Sequence, residues 1–371
     1  MLCEAADASC YNGRMPAIPV RTHGGNYAVH VERGSLARLA EFVPEGSGKL
    51  FIVTTGDVWK LHQGPVLQAV EGREHAVLFF PGGEDRKRLA EVEALAGQLL
   101  EQGADRSSLV IAFGGGIVTD VAGFVAATFM RGIPVLQTPT TLLAQVDAAI
   151  GGKTGVNLAS GKNLVGAFHQ PVAVVVDPDV LSTLSEREYR AGLVEVLKAG
   201  IIRDPYLYHV MADGYESVLQ REPRIVDELI ECAVKVKAGV VSLDERESGL
   251  RRILNFGHTV GHALEAETGY QRLLHGEAVA FGMKAAVHLS HLTGHLSGED
   301  SVDMLQTIGR YSVIPPLDGV TPEKLAARLK SDKKTVLGSV HWVLAPAIGQ
   351  AKVVSGIEEK IVLRAIARAM E

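Results

Sequence analysis

The 371-residue chain has only three cysteines, Cys3, Cys10 and Cys232, which are odd in number and too scattered for a disulfide framework. Such scarcity is typical of a protein from a reducing compartment. No apolar run approaches the roughly 20 residues that a membrane-spanning helix needs. Residues 1–14 are polar and include acidic side chains, unlike a secretory signal. We therefore expect a cytoplasmic protein without a membrane partner.

An excess of positive charge is also missing. The chain has 37 Lys and Arg against 43 Asp and Glu, so its formal net charge is −6. A protein of this charge has no general attraction for nucleic acid or anionic membranes, and any anion it binds requires a local cluster of cations. Hydrophobic residues make up 47% of the chain, which is a globular composition, and the length favours two domains.

Short apolar strands alternate with helix-like segments in the first half of the chain. The strands are predicted over residues 50–54, 76–80, 109–113, 135–137 and 172–176. Residues 87–102 have helical spacing, and Gly103 stands where a glycine would end that helix. Such alternation predicts a parallel sheet in an α/β architecture, with a division between the two halves around residues 178–185.

A run of three glycines, Gly114 to Gly116, joins a predicted strand to a predicted helix. It lacks the G-x-G-x-x-G spacing, so by itself a tight structural turn explains it equally well. Two further turns, at residues 82–84 and 138–141, would lie along the same edge of the sheet. Ligands of open α/β sheets bind at that edge, and helix N-termini there attract phosphates. Together the three turns favour a nucleotide cofactor.

Cations cluster locally between residues 147 and 169. Lys153 and Lys162 each follow a glycine, with Asn157 and Asn163 close behind. Either lysine alone is best explained as solvated, but the apolar flanks of the pair favour a clamp for phosphate or carboxylate. The first glycine of a Walker A loop is missing, which argues against an ATPase.

Helical patterns dominate the second half. They cover residues 188–202, 225–241, 278–292, 302–308 and 324–329, before a predicted hairpin at 340–344 and 352–354 and a closing helix from Glu358. Residues 244–247 are charged, and by default we interpret them as a solvated turn. Glu195 lies in an apolar helical run with Lys198 one turn away. It is either an exposed, paired residue or a buried ligand, and spacing leaves both open.

Three histidines suggest a metal site. His258 and His262 are four residues apart and share a helix face, while His275 opens the next helical run. A single histidine is more often an ordinary helix residue. Three of them near Asn255 and Arg251, joined by a carboxylate, favour a site for a borderline metal such as Zn²⁺.

Taken in order, these stretches resemble the 3-dehydroquinate synthase family over about residues 49–344. The motifs that carry the resemblance are Gly114-Gly115-Gly116 with Asp120, Arg131-Gly132, Thr140-Thr141, Gly151-Gly152-Lys153, Gly161-Lys162-Asn163, Glu195-Val196-Leu197-Lys198, Asn255-Phe256-Gly257-His258, His275-Gly276-Glu277 and Asp332-Lys333-Lys334. The polar N-terminus itself predicts a disordered tail over residues 1–16, with Met15 as an alternative start. The resemblance implies a Rossmann-like α/β NAD-binding domain over 17–182 and a mainly α-helical metal- and substrate-binding domain over 183–371.

The resemblance also implies the ligands. NAD binds the first domain, and one divalent metal, Zn²⁺ by preference with Co²⁺ as the alternative, is held by Glu195, His258 and His275. His262 is then not a ligand but faces the substrate phosphate. Cofactor binding is assigned to Gly82, Glu84, Lys87, Gly115, Gly116, Thr119, Asp120, Thr140, Thr141, Asp147, Lys153, Lys162 and Thr183. Substrate binding and turnover are assigned to Lys153, Asn163, Lys198, Lys237, Arg251, Asn255, His262, Arg131, Lys333 and Lys334.

The implied reaction converts 3-deoxy-D-arabino-heptulosonate 7-phosphate to 3-dehydroquinate and phosphate in the shikimate pathway. Its steps are a transient oxidation by NAD, β-elimination of phosphate, re-reduction, ring opening and aldol closure. Lys237 and Arg251 fit the positions that hold the substrate carboxylate. Arg131 would reach the active site of a neighbouring subunit, which implies a homodimer.

Two alternatives have different substrates or products. Other sugar phosphate cyclases, such as 2-deoxy-scyllo-inosose or valiolone-type synthases, act on substrates without a carboxylate. The presence of Arg251, Asn255 and the Lys333-Lys334 pair favours the carboxylated heptulosonate. A metal-dependent alcohol dehydrogenase of the glycerol dehydrogenase type would instead accumulate NADH, whereas the cyclase returns the hydride to its substrate.

Overall fold

The computed structural model describes residues 17–331 and 340–371. The predicted tail at 1–16 and the Lys333-Lys334 pair lie outside the described residues. Among the helices in those ranges, none combines the length and apolar character needed to cross a membrane.

The first half is built on one seven-stranded sheet. Its strands are β1 (Ile18–Thr22), β2 (Gly25–Val31), β3 (Leu50–Thr54), β4 (His75–Phe79), β5 (Leu109–Gly114), β6 (Val135–Pro139) and, after the β7–β8 hairpin of Lys153–Leu158 and Gly161–Phe168, β9 (Ala173–Val176). The order across the sheet is β1-β2-β9-β6-β5-β3-β4. Only β1 and β2 pair antiparallel in this sheet as described, and the remaining pairs are parallel. The predicted parallel sheet is confirmed, while the β1–β2 hairpin was not predicted.

Both faces of the sheet are covered, which explains the continuous apolar runs of the strands. Along β3, Leu50 and Ile52 pack into one hydrophobic cluster, whereas Phe51 and Val53 pack into another on the opposite face. All four are fully buried. The helices on these faces are α1 (Gly56–Ala69), α2 (Leu89–Glu101) and α3 (Gly116–Thr128). The alternation of partners along one strand places the sheet between two layers.

The β7–β8 hairpin carries the cationic cluster that the sequence analysis singled out, although the sequence did not predict its strands. Gly155 lies opposite Gly166 across the pair. A Cβ on Gly166 would lie 2.0 Å from the Thr154 carbonyl oxygen, so the two backbones approach closely only because both residues are glycine. The hairpin thereby presents Lys153, Lys162 and Asn163 from one compact unit.

The second half is helical, as predicted. Its elements are α4 (Glu186–Arg203), α5 (Pro205–Asp213), α6 (Tyr215–Leu219), α7 (Pro223–Leu243), α8 (His258–Glu267), α9 (His275–Leu292), α10 (Gly298–Tyr311), α11 (Pro322–Ser331), the hairpin β10 (His341–Ala347) with β11 (Gln350–Ser355), and α12 (Glu359–Met370). Short 3₁₀ turns lie at Ser35–Phe42, Phe129–Arg131, Pro178–Thr183 and Leu250–Asn255, and a π turn lies at Ala144–Ala148.

The largest hydrophobic cluster does not stop at the junction between the halves. It joins Val29 and Leu136 of the sheet to Leu193 of α4, Val234 of α7 and Met304 of α10. Helix α4 is buried on nearly all sides, from Tyr189 to Ile202. An acid on that helix is therefore surrounded by protein, which decides the question that spacing left open for Glu195.

Candidate active site

Glu195, His258 and His275 meet at one point. Nε2 of His258 lies 3.7 Å from Oε1 of Glu195, and Nε2 of His275 lies 3.5 Å from the same oxygen. One ligand atom from each residue falls within 4.8 Å of the others. Two imidazole nitrogens and a carboxylate oxygen at this spacing form a donor set suited to Zn²⁺ or a similar divalent ion.

Glycines bring the two histidine-bearing helices together. His258 and His275 are the first residues of α8 and α9. A Cβ on Gly282 of α9 would lie 1.8 Å from the carbonyl oxygen of Gly257, and one on Gly261 would lie 2.9 Å from that of Ala278. Gly257 itself has a φ of 80°, which favours glycine. The close crossing of α8 and α9 sets the separation of the two rings.

The buried charge in this cluster fits a cation. Glu195 has 3% of its surface exposed, and among the described residues its carboxylate oxygens make no hydrogen bond of regular geometry. The Lys198 ammonium lies against one of them. Burial, followed by the nearby charge of Lys198, holds the pKa of His258 well below its usual range, so this ring is neutral and free to donate a lone pair. The residues present therefore fit a metal ion.

The pKa of His275 is shifted in the opposite direction to that of His258. Burial would lower its pKa, but the carboxylates of Glu195 and Glu265 raise it to about 10. Glu265 contacts Nδ1 of the ring at 3.5 Å. His262, predicted to face the substrate, stacks on His275 with ring centroids 6.0 Å apart. Glu265 was not predicted, although its spacing from His258 and His262 (i+7 and i+3) places all three on one helix face.

Asp147 links the π turn of the first half to two lysines of the second. Its carboxylate accepts from Lys198 at 2.9 Å and also from Lys237. Burial alone would raise the pKa of Asp147, but the two ammonium groups hold it well below its usual range. Single π turns occur frequently at functional sites. Here the turn fixes the position of Lys198 and Lys237 beside the metal cluster.

The charged segment 244–247 is only in part the predicted solvated turn: Arg246 is exposed in a turn, but the acids on either side of it have protein partners. Asp244 is buried and accepts the backbone N–H groups of Ser248, Gly249 and Arg251. These bonds outweigh the effect of burial and lower the pKa of Asp244 to about 2. Glu247 binds both Lys153 and Asn255. The segment is ordered because backbone donors and two predicted site residues satisfy its carboxylates.

Arg251 is almost completely buried, with 1% of its surface exposed. Its guanidinium donates to the carbonyl oxygens of Gly151, at 3.2 Å, and Glu245. Its Nε has no partner among the described residues. A buried, charged group whose Nε–H has no partner there is suited to bind an anion that enters the cleft.

The predicted cofactor edge is formed where β5 and β6 end. The backbone N–H of Thr140 donates to the Gly114 carbonyl at 2.9 Å. A Cβ on Gly115 would lie 3.0 Å from the methyl carbon of Thr141, so a side chain there would push against Thr141. Gly115 gives α3 no side-chain cap. The N-terminus of α3, with Gly116 and the buried Thr119, is thus suited to a phosphate group.

A second network lies beside this edge. The buried Lys87 donates to Asp120, and to Oδ1 of Asn163 at 2.6 Å. Burial raises the pKa of Asp120 despite the neighbouring lysine. Asn157 donates to Oε1 of Glu84 at 2.7 Å. Gly82, in the turn after β4, has a φ of 79°. These residues surround the same edge, so the structure brings most of the predicted cofactor set together.

Three predicted site residues have surroundings that differ from those expected. Lys162 does not extend into a free cleft but pairs with Glu265 at 2.9 Å. Thr183 is hydrogen-bonded through its hydroxyl to Nε2 of His62 on α1, at 2.9 Å. Both residues line a cavity of about 260 Å³ near Asp177. Arg131 is exposed, has a left-handed φ of 71°, and makes no ion pair with the described residues of its own chain.

Solved structures with the same fold show the class of protein. A 2-epi-5-epi-valiolone synthase from Streptomyces hygroscopicus, with NAD⁺ and Zn²⁺ bound, matches with a TM-score of 0.85 and 30% identity, covering 92% of this chain and 96% of that one. A 2-deoxy-scyllo-inosose synthase complexed with carbaglucose-6-phosphate, NAD⁺ and Co²⁺ has the same fold, with a TM-score of 0.86 and 24% identity over 95% and 99% of the two chains. The fold is that of the sugar phosphate cyclases.

Sequence comparison gives the family. Models of the N-terminal and C-terminal parts of 3-dehydroquinate synthase match residues 77–191 and 192–335. A 3-dehydroquinate synthase from Solibacter usitatus is 60% identical over 356 residues, which cover 96% of this chain and 100% of the relative. The chain belongs to the 3-dehydroquinate synthase family.

Proposed function

We propose that this enzyme converts 3-deoxy-D-arabino-heptulosonate 7-phosphate to 3-dehydroquinate and phosphate, with NAD and one divalent metal, Zn²⁺ or Co²⁺. The observation that carries the proposal is the meeting of Glu195, His258 and His275 beside a cluster of buried cations. The 60% identity to a curated 3-dehydroquinate synthase supports the choice of substrate. We also place the enzyme in the cytoplasm, where shikimate-pathway intermediates would be available to it.

Bound NAD supplies a hydride acceptor and donor, and a metal held by Glu195, His258 and His275 supplies a Lewis acid for the substrate hydroxyls. The protein supplies position and charge. Burial of Glu195 on α4 and of Lys198 one turn away keeps water from the carboxylate. Asp147 and Glu195 raise the pKa of Lys198 against the effect of burial, so this ammonium stays charged and orients the substrate.

Two anion-binding regions account for the two ends of the substrate. Lys153, Asn163, Asn255 and His262 hold the phosphate, and the phosphate would compete with Glu247 for Lys153 and Asn255. Lys237 and the free Nε of Arg251 hold the carboxylate. Separate sites for the two anions fix the direction in which the sugar enters, and orientation of this kind is a large part of catalysis.

The product assay tests this function directly. We expect phosphate and 3-dehydroquinate to form in equal amounts from the carboxylated heptulosonate, without accumulation of NADH. Sedoheptulose 7-phosphate, which lacks the carboxylate, serves as the matched control substrate. Turnover of that control alone would assign the enzyme to another cyclase, and net NADH formation would assign it to the dehydrogenases.

We further propose a homodimer in which Arg131 reaches the phosphate in the neighbouring active site. Its exposure and its lack of an ion pair with the described residues of its own chain support this role. Arg131→Ala should abolish most turnover and leave NAD binding intact. Mixed with inactive His275→Ala, it should recover about a quarter of wild-type activity, because half of random dimers are mixed and each contains one intact site. No recovery after verified subunit exchange would contradict the shared site.

A further inference from the structure

Glu265 is a buried acid that the proposed reaction leaves without a role. It lies near the C-terminal end of α8, with 2% of its surface exposed. A carboxylate in such a position is costly unless charged or hydrogen-bonding partners compensate it. Its partners therefore indicate why the chain has an acid there.

The first partner is the imidazole of His275. Oε2 of Glu265 lies 3.5 Å from Nδ1, while Nε2 of the same ring lies 3.5 Å from Glu195. The ring is thus placed between two carboxylates, with one nitrogen toward each.

His258 shows the same arrangement with a different acceptor. Its Nε2 faces Glu195 at 3.7 Å, and its Nδ1 lies 3.2 Å from the carbonyl oxygen of Phe256. In both rings, then, Nε2 faces the common carboxylate, and Nδ1 faces an oxygen that can accept a hydrogen bond from its N–H. A metal-binding histidine commonly donates its other N–H to such an oxygen, which fixes the tautomer and the ring orientation.

The second partner of Glu265 is Lys162, at the tip region of the β7–β8 hairpin. The ammonium lies 2.9 Å from Oε1 of Glu265 and 4.9 Å from the centre of the Tyr270 ring. Glu265 therefore connects a residue of the predicted cofactor region to a proposed metal ligand. A cation already compensates this carboxylate, which argues against a second metal held by His262, Glu265 and His275 even though their atoms are close enough.

We infer that Glu265 is a positioning residue, which accepts the Nδ1 proton of His275 so that Nε2 is presented to the metal, and which Lys162 holds in place. The inference rests on the proposed set of metal ligands. It adds a residue to that site which neither the sequence resemblance nor the ligand geometry alone assigns.

Metal affinity of the purified protein, measured by competition with a chromogenic chelator, is the test. Glu265→Ala should weaken Zn²⁺ binding about 10- to 100-fold, the usual loss when such a partner is removed. Glu265→Gln keeps an oxygen acceptor and should recover much of this affinity. The matched control is Glu267→Gln, also on α8, whose carboxylate pairs with Arg328 at 2.9 Å. This control should bind Zn²⁺ as tightly as the wild type.

The absorption spectrum of bound Co²⁺ distinguishes a change at the metal ligands from a general loss of stability. The absorption spectrum of the Co²⁺ form should change in Glu265→Ala and return toward the wild-type spectrum in Glu265→Gln, while circular dichroism confirms that both variants are folded. Wild-type affinity and spectrum in Glu265→Ala would overturn the inference, as would two metal ions per wild-type chain with one lost in the variant. Failure of the wild type to bind any metal would instead refute the ligand set proposed above.

Discussion

Two buried lysines share one carboxylate, yet their pKa values move in opposite directions. Lys198 has both Asp147 and Glu195 beside it, and these acids raise its pKa against the effect of burial. For Lys237, burial dominates, and the positive charges of Arg251 and Lys198 act in the same direction, so its pKa falls to about 8 despite Asp147. Lys237 is therefore the cation of this site that loses its charge just above neutral pH.

This difference predicts a pH dependence for substrate capture. Below pH 8 Lys237 is protonated and attracts the substrate carboxylate, and above pH 8 it becomes neutral. The value of kcat/KM should then fall by up to about tenfold per pH unit above that pKa, since kcat/KM reports groups of the free enzyme. Steady-state kinetics between pH 6 and about 10 measure it. In Lys237→Arg, which keeps its charge, the decline should disappear; an unchanged decline would exclude Lys237 as its source.

At the scale of residues, spacing along the sequence indicated part of the candidate site. His258, His262 and His275 were recognisable from helical periodicity and from the start of the next helix. Glu195 was not decided by spacing, because the burial of α4 depends on packing against distant helices. Glu247 was missed because only the fold brings it to Lys153.

At the scale of secondary structure elements, the crossing of α8 and α9 determines whether the ligands meet. A methyl group on Gly282 would collide with the backbone of Gly257, and backbone cannot move aside as a flexible side chain can. The two helices would have to separate, which would carry His258 away from His275. Overpacking of this kind typically costs about 1–3 kcal/mol.

We therefore expect Gly282→Ala to lower both the free energy of unfolding and the affinity for Zn²⁺. The control is Gly309→Ala on α10, where an added Cβ meets nothing within 4 Å. That exchange should stabilise the protein by up to about 1 kcal/mol, because glycine is unfavourable inside a helix, and should leave metal affinity unchanged. Denaturant titration and chelator competition measure the two effects. Full metal affinity in Gly282→Ala would show that the crossing does not set the site.

The sequence predicted the strands and helices with strong periodicity, and it failed at two hairpins whose strands lack that pattern. The β7–β8 hairpin contains few of the alternating apolar residues that mark a strand, and its glycines instead suggest a loop. The structure shows why those glycines lie there, since Gly155 and Gly166 face each other across the pair. Hairpin β1–β2 was likewise missed, because its strands interrupt their apolar residues with Arg21, Asn26 and His30 instead of forming a continuous apolar run.

At the scale of the whole molecule, shared elements connect the hydrophobic clusters. Strand β3 contributes Ile52 to the largest cluster and Val53 to the one on the opposite face. Helix α9 contributes Met283 to the largest cluster and Phe281 to the C-terminal one. Loss of either element would expose two clusters at once, so the two halves should unfold together.

The two tryptophans allow this to be tested. Trp59 lies on α1 of the first half, and Trp342 lies on β10 of the second. In the single-tryptophan variants Trp59→Phe and Trp342→Phe, the fluorescence transitions in urea should coincide with each other and with circular dichroism. Separate midpoints would show that the halves unfold independently and that the shared clusters do not couple them.

Anomalous X-ray diffraction at the zinc edge, from crystals grown with Zn²⁺ and NAD, tests the shared metal site most directly. We expect one anomalous peak per chain, about 2.0–2.2 Å from a carboxylate oxygen of Glu195 and from Nε2 of His258 and His275. A peak between His262 and Glu265, or no peak at these residues, would contradict it.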